Sequence, residues 1–555
     1  MRTKHLFLLP LVGALFGFGF LAGFWMPRGD DFFALRKNFE IFSSLYEELA
    51  TGYVDKLDPE KLMRSGIDAM LSDLDPYTTY VTEAENTELD IITRGRYAGV
   101  GLNVGRRGGK LTVISPVEGT SGYRQGVRTG DVIIEVAGQP ADALTSADLS
   151  ALLRGEPGTA VEIVVEREGE PEPLHFTLMR EEVQLKNVAY SGFMGGDTLA
   201  GIGYIKLNRF AQDAGAEVRR SLQELQRTGK LRSLILDLRN NPGGLLEVAV
   251  EITGLFVPQN AVVVSTKGRL PQTDRTYRTS SAPLAPDIPL AVLTNYYTAS
   301  ASEIVAGALQ DMDRAVIVGE PSYGKGLVQL IRPLPYNTSL KMTTSRYYTP
   351  SGRSIQALDY RRHDGSVSEI PDSLRRTFRT AAGREVRDGG GIEPDLLVER
   401  PAASELEEAL ERRAAFFFFA NHYAAEHPTI PSDFVVTDDV LNAFRSWLET
   451  ESFTYRTDAE QAALELAEEL QKMGYTSTED EIRALNEAIR AEKAADFERN
   501  REALKQRLRT EILARYYGES AQIRASLPRD PVAQEAVSLL KDSRQYRAIL
   551  AGKGR

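Results

Sequence analysis

The chain has 555 residues and 66 Lys+Arg against 78 Asp+Glu, a net charge of −12, with 42% hydrophobic and 26% charged residues. That length predicts about three to five domains, and the composition argues against wholesale disorder, a collagen-like fibre, a polytopic membrane protein and a general nucleic-acid binder. Cysteine is absent, which excludes thiol nucleophiles, Cys-ligated zinc, iron–sulfur clusters and disulfides, and any imidazole mechanism must use His5, His175, His363, His422 or His427.

Arg2 and Lys4 precede an uncharged apolar run of 21 residues from Leu6 to Met26. As a helix this run covers about 30 Å, one hydrocarbon thickness, and no small-x-small cleavage site precedes Met26. Residues 1–27 are therefore expected to be a signal anchor in preference to a cleaved signal. The basic flank predicts a cytoplasmic N-terminus and an extracytoplasmic remainder, membrane-anchored or secreted, on the periplasmic side.

Beyond Pro27, Leu35, Phe39, Phe42, Leu45 and Leu49 form the stripe of an amphipathic helix. Asp58-Pro59 then reads as a cap and first turn of a second helix running to about Leu74. Residues 28–95 are expected to form a small helical domain. Residues 96–184 switch to short strands, Leu111–Ile114, Asp131–Val136, Val161–Glu166 and Leu174–Met179, with a helix at Ser146–Leu153. This order resembles a PDZ domain, with Tyr97-Ala98-Gly99-Val100-Gly101-Leu102 standing where that family has its carboxylate-binding loop.

Residues 185–400 alternate strands and helices, an α/β pattern. Strands are predicted at Ile202–Leu207, Ser233–Leu238 and Leu290–Leu293, and helices at Ala214–Gln226 and Leu245–Phe256. Residues 401–555 read as a charge-rich helical extension. Ile482, Leu485, Ile489, Phe497, Leu504, Leu508 and Ile512 mark one apolar stripe, suited to packing or to homo-oligomerisation.

Chemistry concentrates in three places. Ser300, in Thr298-Ala299-Ser300-Ala301-Ser302-Glu303, falls at a helix start, where free N–H groups stabilise either a developing oxyanion or simply the cap. A serine nucleophile needs a base, and only His363 among the histidines offers a Ser-His-Asp arrangement. Lys325, between Gly324 and Gly326 and entering an apolar strand, is the better base, because desolvation lets a lysine lose its proton. Gly319 and Gly324-Lys325 nearly spell a phosphate-binding loop, but the next residue is Gly326, not Ser or Thr, and a strand follows. The third place is Asn240-Asn241-Pro242-Gly243-Gly244, a strand-to-helix turn whose glycines allow backbone amides a close approach to a ligand.

Together these motifs, with Tyr323 before Gly324 and Gln329 after Gly326, resemble the carboxy-terminal processing serine peptidases, or tail-specific proteases, over roughly residues 35–400. Asp75-Pro76-Tyr77-Thr78, the Ser345–Gly352 segment and Gly391-Ile392-Glu393-Pro394-Asp395 are also family-like. The resemblance implies a multidomain α+β chain: a crotonase-like α/β peptidase core, a PDZ β-rich domain, an N-terminal helical domain and a C-terminal helical extension. It implies an endopeptidase that cleaves exported proteins near their C-termini, with Ser300 as nucleophile, Lys325 as base and Gln329 orienting the lysine. Ala301 N–H with Gly243 or Gly244 N–H would form the oxyanion hole. Tyr97–Leu102 would bind apolar substrate C-termini, and Arg154 holds a position that in some relatives couples bound peptide to activation. The segment from Gly119 to Arg124 departs from the family's usual Ser-Pro-Ala-type run. No metal, nucleotide or other cofactor is called for. The alternative function is a catalytically silent PDZ-peptidase scaffold.

Overall fold

The computed structural model describes residues 29–194, 201–360, 368–399 and 402–553; the Leu6–Met26 run and His363 lie outside them. Among the described residues no helix is long and apolar enough to cross a membrane. Helix α1 (Gly29–Gly52) packs against α2 (Pro59–Ser72), where the Tyr46 hydroxyl donates to Pro59 O at 3.0 Å. Asp58 starts α2 as the cap residue predicts, accepting the Glu60 and Lys61 N–H groups at 3.0 and 3.3 Å. The α1 stripe is only partly used: Leu35 and Phe39 remain 72% and 70% exposed. A turn at Asp75–Thr78 leads into a short strand, β1 (Thr79–Val81), and then α3 (Glu83–Arg94).

Strand β2 (Arg96–Gly99) precedes an antiparallel sheet of β3 (Leu102–Arg107), β4 (Lys110–Pro116), β5 (Val132–Val136), β6 (Ala160–Glu166) and β7 (Leu174–Met179), in that spatial order. Helix α4 (Ser146–Leu153) closes it, its Leu149 buried with Val113, Val136, Ile163, Val165 and Leu178. Strand β8 (Glu181–Gln184) turns back to pair with β2, Tyr97 opposite Val183. Strand β3 is left as an edge of its sheet.

The core then runs β9 (Val188–Phe193), β10 (Ile202–Leu207), α5 (Ala214–Arg227), β11 (Ser233–Asp237), α6 (Leu246–Thr253), β12 (Val262–Gly268), β13 (Arg275–Arg278) and β14 (Leu290–Thr294). After β14 come α7 (Ala301–Asp311), β15 (Val316–Gly319), β16 (Leu327–Pro333), β17 (Ser339–Tyr348) and β18 (Leu396–Leu397). One sheet has the order β9-β10-β11-β14-β15-β18 and is parallel after its first, antiparallel pair. Buried on both faces, β11 and β14 read as the continuous apolar runs expected of central parallel strands. A second sheet joins β12, β13, β16 and β17, and takes β1 as a further strand, Thr79 opposite Lys341.

The tail is all-helical: α8 (Glu405–Arg412), α9 (Ala415–Glu426), α10 (Asp438–Thr450), α11 (Asp458–Lys472), α12 (Glu479–Ala494), α13 (Arg501–Ser526), α14 (Pro531–Lys541) and α15 (Ser543–Leu550). The stripe expected along one helix is divided. Leu504, Leu508 and Ile512 on α13 are buried with Phe416, Phe419 and Phe444, whereas Leu485 on α12 stays 41% exposed. Val532, Ala533, Ala536 and Leu539 of α14 and Tyr546 and Ile549 of α15 cover Ile235, Ala291, Leu293, Val316 and Val318 of the core sheet. Helix α9 meets the β3–β4 turn, where Phe418 lies against Gly108.

Candidate active site

Ser300 stands at the junction of the β14 loop and α7, half-buried, with φ 55° and ψ −116°. A non-glycine residue at positive φ is uncommon and is held there by its surroundings. Here Asn241 does much of the holding: its carbonyl accepts the Ala299 N–H and the Ser302 hydroxyl, both at 3.0 Å. Its side chain ties the same turn inward, donating to Leu207 O at 2.8 Å and accepting the Gly243 N–H at 2.9 Å. Gly243, with φ +97°, passes so close that a Cβ would lie 2.6 Å from Ala299 O and 2.7 Å from Ala301 N, so no other residue fits without moving the serine. Ala301 N–H, at the first position of α7, has no intrahelical acceptor. Gly244 is exposed, and its N–H has no hydrogen bond among the described residues.

Glu303 joins the two sequence motifs. Fully buried, its carboxylate accepts the Ser300 N–H at 2.7 Å and the Lys325 N–H at 2.9 Å on one oxygen. The other oxygen accepts the Gly324 N–H at 2.7 Å and the Ser322 hydroxyl at 2.5 Å. Burial pushes this carboxyl up to about 7 against the pull of its four donors. The Ser300 and Lys325 backbones are thus fixed to a single oxygen atom. Among the described residues no hydrogen bond joins Ser300 Oγ to Lys325 Nζ; the amine lies over the Tyr77 ring, 4.6 Å from its centroid. Burial, then the neighbouring Lys341, lowers the Lys325 amine to about 8, while Glu303 and Asp75 oppose that shift.

Gln329, on β16, donates to Thr343 Oγ1 at 3.3 Å and makes no hydrogen bond to Lys325 among the described residues. Thr343 Oγ1 in turn donates to Asp75 at 2.9 Å. Below the glycine turn, the buried Asp237 carboxylate pairs with Arg239 and with Lys206, which hold it below the usual carboxylate range although burial alone would raise it. Arg239 also reaches Asp530 of the tail at 2.8 Å.

The structure brings Ser300, Ala301, Gly243, Gly244 and Lys325 to one place, with Gln329 at its edge. The segment Tyr97–Leu102 is elsewhere, and its first half is not a loop. Tyr97, Ala98 and Gly99 pair with β8, and only Val100 and Gly101 lie between the strands, their carbonyls accepting the Gly122 and Val117 N–H groups at 2.9 and 2.8 Å. Arg154 follows α4, stacks over Tyr97 at 5.5 Å and pairs with Glu88 of α3 at 2.8 Å. The stretch Gly319–Lys325 enters β16, a strand, so it builds no phosphate-binding loop. Three contributors, Glu303, Asp75 and Tyr77, have no role assigned by the sequence alone. Glu303 carried a visible signal, the Ser-x-x-Glu capping spacing, but its reach to Lys325 is a tertiary contact. Asp75 and Tyr77 carried a turn signal and a family-like motif, but neither says what their side chains touch.

The profile of Peptidase family S41 matches residues 201–361, that of the PDZ domain residues 112–167, and that of the probable PDZ-protease C-terminal helical domain residues 406–540. The chain is 36% identical over 320 residues to a carboxy-terminal-processing protease of Bartonella bacilliformis, covering 57% of this chain and 72% of that one. It is 35% identical over 299 residues to a carboxyl-terminal-processing protease of a Synechocystis species, covering 53% and 68%. Among solved structures it is similar to a photosystem II D1 C-terminal processing protease, 27% identical with a TM-score of 0.35, over 65% of this chain and 92% of that one. The chain belongs to the carboxy-terminal-processing proteases, serine-type peptidases of family S41 that carry a PDZ domain.

Proposed function

We propose that Ser300 and Lys325 form the catalytic pair of this peptidase. The observation that carries the reading is the Glu303 carboxylate, which takes the backbone N–H of both residues on one oxygen while the lysine amine beside it is lowered to about 8. Ser300 Oγ attacks the scissile carbonyl and gives its proton to Lys325 Nζ. The amine passes that proton to the departing nitrogen, leaving an ester on Ser300, and water then releases the acyl group by the same exchange. Ala301 N–H and Gly244 N–H are the oxyanion donors, since the Gly243 N–H is already given to Asn241. Gln329, whose amide is given to Thr343 in this structure, would turn from β16 to orient the lysine.

The substrates are polypeptides with free apolar C-termini, taken up on the β3 edge beside α4 with the carboxylate at Val100 and Gly101. Arg154 couples that site to α3 through Glu88. The Arg2, Lys4 and Leu6–Met26 pattern supports a membrane anchor that places the peptidase on the periplasmic side. The exposed side of the tail stripe supports self-association. Incubating an unstructured polypeptide with the wild type, Ser300→Ala and Lys325→Ala tests the pair: only the wild type is expected to cut it. Cleavage by either variant refutes the pair, and an inert wild type points to a silent scaffold. Amidating the substrate C-terminus should slow cleavage, and protease accessibility of the tail in intact and opened cells tests the location.

A further inference from the structure

Asp75-Pro76-Tyr77-Thr78 lies far upstream of the peptidase motifs, yet Asp75 and Thr78 are hydrogen-bonded to Thr343 and Tyr77 reaches Tyr323. The Asp75 carboxylate, buried, accepts the Tyr77 N–H at 3.0 Å, the Thr78 hydroxyl at 2.7 Å and the Thr343 hydroxyl at 2.9 Å. The Thr78 hydroxyl accepts the Thr343 N–H at 3.1 Å, and the next residue begins the pairing of β1 with β17. Thr343 faces Gln329 across the β16–β17 ladder. The turn between Asp75 and Thr78 is therefore tied to β17, which pairs with β16, the strand that follows Lys325. Within the turn, Tyr77 places its ring face at the Lys325 amine and extends its hydroxyl to that of Tyr323 at 3.4 Å.

We propose that Tyr77 is a positioning residue for the general base: its ring seats the Lys325 amine, so the N-terminal segment completes a site that the peptidase core alone leaves unfinished. The inference rests on the Ser300–Lys325 reading above. An aromatic face attracts an ammonium electrostatically, and the ring also walls the amine from water. The first effect favours the charged amine and the second the neutral one, so Tyr77 sets both where the base sits and the pH at which it works. The other charged groups facing Lys325 are Lys341, Glu303 and Asp75.

The test uses the full chain and reads kcat against pH on an unstructured peptide. Tyr77→Phe is expected to keep the midpoint of the alkaline rise. Phenylalanines carrying one, two and three ring fluorines at the same position withdraw charge from the ring face at nearly constant volume. They should move that midpoint stepwise downward, by about half a pH unit in total. Tyr77→Ala should lower kcat about tenfold or more, with KM changed far less. A midpoint that stays fixed or rises along the fluorine series overturns the proposal, as does full kcat in Tyr77→Ala. The fluorinated side chains preserve packing, so the series is decisive even where Tyr77→Ala does not fold. Lys325→Ala is run in parallel. If it stays active the dyad reading itself fails; if it is inactive while the fluorine series is flat, only the role of Tyr77 fails.

Discussion

Glu303 is the residue on which the site turns, because four donors from two segments, Ser300 and Ser322–Lys325, end on its two oxygens. Glu303→Gln keeps the shape but puts an amide N–H₂ against donors. It should cost on the order of 3 kcal/mol in stability, read from chemical denaturation, and reduce kcat far more than KM. Gly243→Ala should remove activity although it alters neither reacting group, because its methyl would press on Ala299 O, Ala301 N and the Ser300 Cβ and displace the serine. Peptide hydrolysis at normal rates by that variant would show that the glycine turn is not part of the site. Lys325 sets the pH dependence. The base must be neutral, and its amine is lowered to about 8, so kcat/KM should rise with pH through about 8 and be roughly tenfold below its plateau one unit lower. A profile already flat from pH 6 would contradict that.

Helices and strands were largely legible: Ile202–Leu207 in the core and Leu174–Met179 in the PDZ sheet begin and end where the sequence places them. The Asp58-Pro59 start of α2 needed only local hydrogen bonding. What could not be read were the joints. The pairing of β1 with β17 depends on residues separated by most of the peptidase, and nothing local in Thr79–Val81 announces a partner. The division of the tail stripe is likewise decided by which neighbours reach it. Of the site, Ser300, Lys325 and the Gly243-Gly244 turn could be named from motifs, whereas the roles of Glu303, Tyr77 and Asp75 follow from contacts made after folding. Helix α14 illustrates the same limit. Asp530 caps it by accepting the Val532 and Ala533 N–H groups, both at 3.1 Å, and also pairs with Arg239 under the glycine turn. Asp530→Ala should cost about 1–2 kcal/mol by thermal or chemical unfolding, and Asp530→Asn, which can still cap, should cost less.

At the scale of the whole chain, the peptidase core is enclosed by segments from both ends. The N-terminal part contributes a strand and the Tyr77 ring, and the tail covers one face of the parallel sheet. Ending the chain before α14 would expose Ile235, Leu293 and Val318 to water, and the truncated protein is expected to be recovered aggregated where the full chain is soluble. The helical tail also touches the β3–β4 turn, so the PDZ unit is held from two sides, by α9 and, through Arg154 and Glu88, by α3. The central claim, that Ser300 acts as a nucleophile served by Lys325, is tested most directly by labelling with a serine-reactive fluorophosphonate and locating the adduct by peptide mass spectrometry across pH. A single adduct on Ser300 is expected, with a rate that rises through about pH 8 and collapses in Lys325→Ala. An adduct on another residue, or on Ser300 at a rate unchanged in Lys325→Ala, would contradict it.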